Sequence, residues 1–238
     1  MVYNWHKKIQ MMAYPAVCTL CGAAGDNGVD LCCGCRDDLP FNRHACQQCA
    51  LPLPDAAPED ALCGQCQRAS PRFDHGYIPL RYAYPLDHLI SNFKFRGKLA
   101  EGRLLSGLVG DFLVQQRCEL PELIIPVPLH ASRLRERGFN QALELARPLA
   151  KRFGLPVDSQ MVVRNRATSS QMELSKKARR KNVRGAFELT RQLQVQHVAI
   201  MDDVVTTGST VNELAAVLRR GGAGRVDVWA VARRADNL

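Results

Sequence analysis

Two groups of side chains in this 238-residue chain have the types and spacing to do chemistry. The first is the run VAIMDDVVTTGST at 198–210, where adjacent carboxylates, Asp202 and Asp203, precede Thr206, Thr207, Gly208, Ser209 and Thr210. Residues 198–201 read as a strand with the acids at its end, and Gly208 permits a turn into a helix begun by Ser209 or Thr210. Hydroxyls beside the free N–H groups of a helix start make a phosphate cradle. Two carboxylates would repel a bare phosphate, so they need other partners. Ribose hydroxyls, with a magnesium ion nearby, resolve the conflict. The plainer alternative is a capped helix after a strand, but a cap needs neither two carboxylates nor four hydroxyls. A Walker loop is excluded, because the segment has no GK[ST].

The second group is cysteine. Nine of the ten cysteines lie between Cys18 and Cys66, and eight of them form C-x-x-C pairs: Cys18/Cys21, Cys32/Cys35, Cys46/Cys49 and Cys63/Cys66. A two-residue spacer turns both sulfurs onto one ion, and two such knuckles complete the tetrahedral thiolate shell of zinc. Sequential pairing makes two zinc ribbons, 18/21/32/35 and 46/49/63/66, and interleaved pairing meets the same spacing rule. Four thiolates leave no open position for water, so the two ions are read as structural. Cys33 is read as a spectator, and His44 could replace a thiolate only with some rearrangement.

These groups divide the chain. The first 70 residues hold 5 Lys/Arg against 7 Asp/Glu, and the remainder 27 against 16. A boundary near 70 follows, with a cysteine-rich zinc-ribbon module at 1–70 and a larger domain at 71–238. Any polyanion should prefer the basic larger part. There, GYIPLRYAY (76–84), ELIIPVPL (122–129), VQHVAIM (195–201) and RVDVWAV (225–231) read as strands. PLDHLISNFKF (85–95), 98–117, 139–154 and STVNELAAVLRRGG (209–222) have helical spacing, with Pro148 inside one of them. The alternation predicts an α/β fold: a mainly parallel twisted sheet with helices on both faces, plus the zinc-ribbon module. No run is long and apolar enough for a membrane span or a signal-peptide core, which predicts a cytoplasmic protein.

The stretch IMDDVVTTGST resembles the binding motif for phosphoribosyl pyrophosphate (PRPP) of type I phosphoribosyltransferases. That resemblance implies catalytic roles for Asp202 and Asp203 on the ribose hydroxyls, a 5′-phosphate loop at Val205–Thr210, and Mg2+ bound with PRPP. With the cysteine-rich start, PVPLHASRLRERGFNQA (126–142) and RNRATSSQMELSKKARRKNVRGAF (164–187), the whole chain resembles the ComF/GntX family. Members are implicated in competence, DNA uptake or the use of external DNA as a nutrient, so DNA-uptake or recombination proteins become expected partners. The resemblance places Val127, Pro128 and Leu129 at a pyrophosphate loop, with Arg133 and Arg137 beside it, and a substrate-closing loop at 165–185.

Physical chemistry bears on the basic segments as well. Arginines at 133, 135 and 137 suit a dense polyanion. Arg164, Arg166, Lys176, Lys177, Arg179, Arg180 and Arg184, with Lys181 and a single Glu173, could close over a small phosphate or grip nucleic acid. Lys94 reads as a surface lysine or a phosphate contact. Three functions therefore stand side by side: a phosphoribosyltransferase using PRPP, a non-catalytic factor binding single-stranded DNA, and a zinc-mediated protein adaptor. No segment reads as an acceptor-base pocket.

Overall fold

The strand residues sort by face with a period of two, as a sheet covered on both sides requires. In the computed structural model, which describes residues 15–166 and 183–235, helices α1 (Cys33–Asp37) and α2 (Gly64–Arg68) belong to the cysteine-rich part. There follow β1 (Gly76–Tyr77), β2 (Leu80–Arg81), α3 (Leu86–Arg96), α4 (Leu99–Gln115) and β3 (Leu123–Pro126). Next come α5 (Ala131–Arg137), α6 (Gln141–Phe153), β4 (Val162–Arg164) and β5 (Phe187–Leu189). The chain closes with β6 (His197–Val205), α7 (Ser209–Arg220) and β7 (Arg225–Arg233).

The main sheet is parallel, in the order β1-β7-β6-β3, with β2 also pairing with β7. Val198, Ile200, Ile125 and Val228 face one way and pack with Val211, Leu214 and Leu218 of α7. Ala199, Met201, Ile124 and Trp229 face the other way, against Leu89 and Phe93 of α3, Leu105 of α4 and Leu145 of α6. This is the two-sided parallel sheet that the alternation predicts. Strands β4 and β5 pair antiparallel in a separate ribbon.

Two elements differ from expectation. The 76–84 run breaks into two two-residue strands, because Pro79 lies between them and has no N–H for the ladder. Strand β6 runs to Val205, past the acids, because it stays paired with β7 as far as Val205↔Arg233. Strand β3 stops earlier, at Pro126 opposite Met201. Beyond Met201 the ladder of β6 continues on one side only.

The cysteine-rich part and the sheet share cores. Cys18, Leu31 and Leu39 lie in the cluster of α3, α4 and α6, while Ala50 lies in the cluster of α7. The backbone continues the link: Phe41 bridges Leu80 antiparallel, Asn42 N–H donates to the Pro79 carbonyl (2.8 Å), and Arg81 N–H donates to that of Pro40 (2.7 Å). No described helix is long and apolar enough to cross a membrane.

Candidate functional site

The charged groups collect past the end of β3 at Pro126. Asp202 and Asp203 are half-buried on the last part of β6, and Asp203 meets Lys94 Nζ, from the C-terminal turn of α3, at 2.8 Å. Their inner oxygens are held by backbone: Asp202 Oδ1 accepts from Asp203 N–H (2.9 Å) and Asp203 Oδ1 from Val204 N–H (2.6 Å). Burial, and then the Asp203 charge, push the Asp202 carboxyl up to about 7, while Lys94 and Arg164 pull the other way. One acid is thus ion-paired and the other is poised near neutrality.

Arginines from two separate segments converge on this pair. Burial lowers the Arg137 guanidinium from its ordinary value, with Asp203 opposing and Arg133 adding to the shift. Arg164 is lowered by burial and by Arg133, with Asp202 opposing. Arg133, Arg137 and Arg164 therefore share one electrostatic neighbourhood, whereas Arg135 points into solvent. Each of the two inner arginines also lies over a ring, Arg137 over Phe95 at 5.2 Å and Arg164 over Phe187 at 5.4 Å.

The segment before them is shaped by Asn140. Its side-chain oxygen caps α6 by accepting from Ala142 and Leu143 N–H (3.0 and 3.4 Å), and its amide donates to the Val127 carbonyl (3.1 Å). Val127 N–H donates to Met201 (2.9 Å), so Val127 and Pro128, both buried, carry the chain off the strand end; Leu129 is half-buried. A short helix, α5, then presents Arg133 and Arg137, and Gly138 at φ +81° ends it.

The Thr/Gly loop follows the acids directly. Gly208 sits at φ +73°, a left-handed conformation that glycine adopts without strain, and starts α7 with no side-chain cap. The first N–H groups of α7 have no acceptor within the helix. Thr207 and Ser209 hydroxyls are 2.8 Å apart, and Thr207 Oγ1 also accepts from Ser209 N–H at 3.4 Å. Thr206 and Thr210 are half-buried beside them. Val205 is 3% exposed, and its carbonyl accepts from Arg234 N–H (2.9 Å) and from Arg233 Nη1 (3.0 Å), so its part is to hold the loop. On the outer side of the loop lies a cavity of about 610 Å³, bounded by Thr207, Ser209, Phe73, Arg68, Arg184 and Cys66.

Both cysteine sets assemble in sequential pairing. Cys18, Cys21, Cys32 and Cys35 bring their sulfurs within 4.8 Å of one another, and so do Cys46, Cys49, Cys63 and Cys66. Contacts of 3.7 Å (Cys21–Cys32) and 3.6 Å (Cys49–Cys63) match the sulfur spacing of about 3.8 Å that tetrahedral Zn–S bonds of about 2.3 Å impose. The two sites are consistent with two structural zinc ions. Cys33 and His44 belong to neither set.

Of the basic loop, Arg166 donates to the Arg184 carbonyl (3.5 Å), and Arg184 borders the cavity. Lys176, Lys177, Arg179 and Arg180 lie outside the described residues. Trp229 is a fully buried core residue 6.3 Å from the Phe153 ring.

Known proteins resemble both parts of the chain. Residues 9–67 match a double zinc ribbon domain, and residues 140–237 a phosphoribosyl transferase domain. The chain is 37% identical over 230 residues to the DNA utilization protein YhgH of Escherichia coli (strain K12), covering 94% of this chain and 99% of that one. It is 37% identical over 210 residues to Competence protein F of Haemophilus influenzae, covering 85% and 90%. Against Competence protein ComFC of Bacillus subtilis it is 26% identical over 215 residues, covering 85% and 84%. Among solved structures, glutamine PRPP amidotransferase from B. subtilis superposes with a TM-score of 0.38 at 19% identity, over 58% of this chain and 30% of that one.

Proposed function

The chain belongs to the family of double-zinc-ribbon, phosphoribosyltransferase-type proteins that includes YhgH, Competence protein F and ComFC, and on that premise we propose that it binds PRPP or another 5′-phosphoribosyl ligand at residues 202–210. The observation that carries this reading is the Lys94–Asp203 pair at 2.8 Å, set beside a raised Asp202 and immediately before the left-handed Gly208. A carboxylate pair already balanced by cations accepts hydroxyl donors without repelling the phosphate next door.

In this reading the α7 N–H groups and the hydroxyls of Thr206, Thr207, Ser209 and Thr210 hold the 5′-phosphate. Asp202 and Asp203 accept from the ribose 2′- and 3′-hydroxyls. The backbone of Val127, Pro128 and Leu129, with Arg133 and Arg137, receives the pyrophosphate. The carboxylates are oxygen donors of the kind Mg2+ takes, and the ion would supply charge neutralisation to the pyrophosphate. If the ribosyl group is transferred, Lys94, Arg137 and Arg164 stabilise charge on the departing side by position alone. The cytoplasm, where thiols stay reduced for zinc, is the compartment this reading requires.

Isothermal titration with PRPP, with and without Mg2+, tests the reading. Wild-type binding that Asp202→Asn with Asp203→Asn abolishes supports it. No heat with any 5′-phosphoribosyl compound overturns it, and pyrophosphate release from PRPP separates transfer from binding.

A second reading is favoured by the cavity outside the phosphate loop. It holds Arg68 and Arg184 next to Phe73, and a strand continuing from a loop-bound phosphate would enter it. That suits single-stranded DNA, in keeping with the DNA-utilisation role given to YhgH. Affinity falling steeply with salt, less so after Lys176, Lys177, Arg179 and Arg180 become Ala, supports it. Binding unaffected by salt rejects it. The adaptor role for the ribbons has no comparable observation behind it.

A further inference from the structure

Arg233 is 3% exposed, yet its described partners are all backbone carbonyls. Nη1 donates to Val205 (3.0 Å), to Thr206, and to Arg234 (3.3 Å), and Nε donates to Cys49 (3.1 Å). One planar guanidinium therefore spans two structures: the start of the phosphate loop and a ligand residue of the second cysteine set. The Cys46–Cys49 knuckle is clamped from other sides too. Gly76 N–H donates to the Gln48 carbonyl at 2.8 Å, and the Asn42 amide donates to that of Ala50 at 2.9 Å. A Cβ on Gly76 would come within 3.3 Å of the Cys49 carbonyl carbon, so the knuckle lies tight against β1. The same cavity is walled by Cys49 and Cys66 on one side and by Thr207, Gly208 and Ser209 on the other.

We propose that Arg233 is a positioning residue that seats the 206–210 loop on the second zinc ribbon, so that zinc held by Cys46, Cys49, Cys63 and Cys66 tightens the loop's grip on a 5′-phosphate. The donor set fits the ion, and the link to the loop runs through this chain's own backbone. A buried guanidinium fork fixes the carbonyls of Val205 and Thr206, where β6 enters the loop, and it also places a permanent positive charge beside the loop. If the knuckle loosens when its ion leaves, Cys49 no longer holds Nε, and the loop loses its anchor. Linkage then requires the converse: a ligand on the loop retards loss of this zinc and not of the first. The ligand half of the proposal rests on the phosphoribosyl reading, whereas the mechanical half does not.

The test uses the full chain loaded with zinc, with two variants, Arg233→Lys and Cys66→Ser. Lysine keeps the charge but cannot bridge two sites with a fork. Amide hydrogen exchange is followed at 206–210, with 198–201 of β6 as the internal control. Zinc transfer to a chromophoric chelator is timed with and without PRPP and Mg2+. The expected result is Arg233→Lys retaining two zinc ions, about tenfold faster exchange at 206–210 with the control unchanged, and PRPP binding about tenfold weaker, within the usual range of coupling between sites. Cys66→Ser should reproduce the loop effect. In the wild type, PRPP should slow release of one zinc of the two, and Arg233→Lys should abolish that protection, which mere destabilisation would not do. Unchanged loop exchange in Arg233→Lys overturns the proposal, as does equal protection of both ions by PRPP. If Cys66→Ser does not fold, the Arg233→Lys comparison decides alone. Loop exchange that responds to Arg233→Lys in a chain that fails to bind PRPP upholds the coupling and rejects the phosphoribosyl reading.

Discussion

Lys94 Nζ lies 2.8 Å from an Asp203 carboxylate oxygen, tying the last turn of α3 to β6. Both side chains are mostly buried, at 19% and 14% exposure, so removing one partner strands the other charge. Lys94→Met should lower unfolding free energy by about 1–3 kcal/mol in urea titration. The double variant Lys94→Met with Asp203→Asn should cost less than the sum of the two single ones. Additivity would mean that the pair contributes nothing.

The Asp202 carboxyl, raised from 3.8 to about 7, predicts two opposite pH trends. The folded chain holds a proton there that the unfolded chain has already released, so this group lowers stability progressively between about pH 4 and 7. Asp202→Asn should therefore be more stable than wild type at pH 8, by up to about 4 kcal/mol for some three units at roughly 1.4 kcal/mol each, with the gap closing toward pH 4. On the proposed reading, in which the ionised Asp202 carboxylate accepts from a ribose hydroxyl, affinity for PRPP should instead rise with pH through about 7. Paired denaturation and titration series at pH 5, 6, 7 and 8 check both.

Much of this site could be read from the chain because it is local. Asp202, Asp203 and Gly208 are neighbours in sequence, and the C-x-x-C pairs carry their geometry in a two-residue spacer. Lys94 could not be assigned that way: between Phe93 and Phe95 on an amphipathic helix, nothing marks it off from a surface lysine until α3 packs and brings it to Asp203. Arg233 was harder still, since its four carbonyl partners come from a strand end, a loop and a cysteine knuckle that meet only in the folded chain. The length of β6 depends likewise on β7 continuing after β3 has stopped, a register that periodicity does not reveal.

Gly208 offers a backbone test. Its φ of +73° is costly for any residue with a Cβ, although open space surrounds the position apart from Val205 at 4.0 Å. Gly208→Ala should lose about 1–2 kcal/mol of stability through conformation alone and weaken PRPP binding tenfold or more by turning the α7 N–H groups. Unchanged affinity in a variant of reduced stability would separate the loop from the ligand.

Metal analysis of purified chain should find two zinc ions, falling to one in Cys21→Ser or Cys63→Ser. The Cys63 variant should lose more stability, because Cys46, Cys63 and Cys66 are 5% exposed or less, whereas Cys21 faces solvent. Thermal unfolding with and without a chelator measures the difference.

The pairing of Phe41 with Leu80 also bears on how such a chain can be cut or inherited. Segment 40–42 occupies the rim of the sheet beside β2, so stripping away the ribbons would bare unpaired backbone and the fully buried Leu80, an invitation to edge-to-edge aggregation. A gene encoding only the sheet-bearing part would specify a sticky product. Selection would then keep both halves in one reading frame, whatever task the ribbons perform.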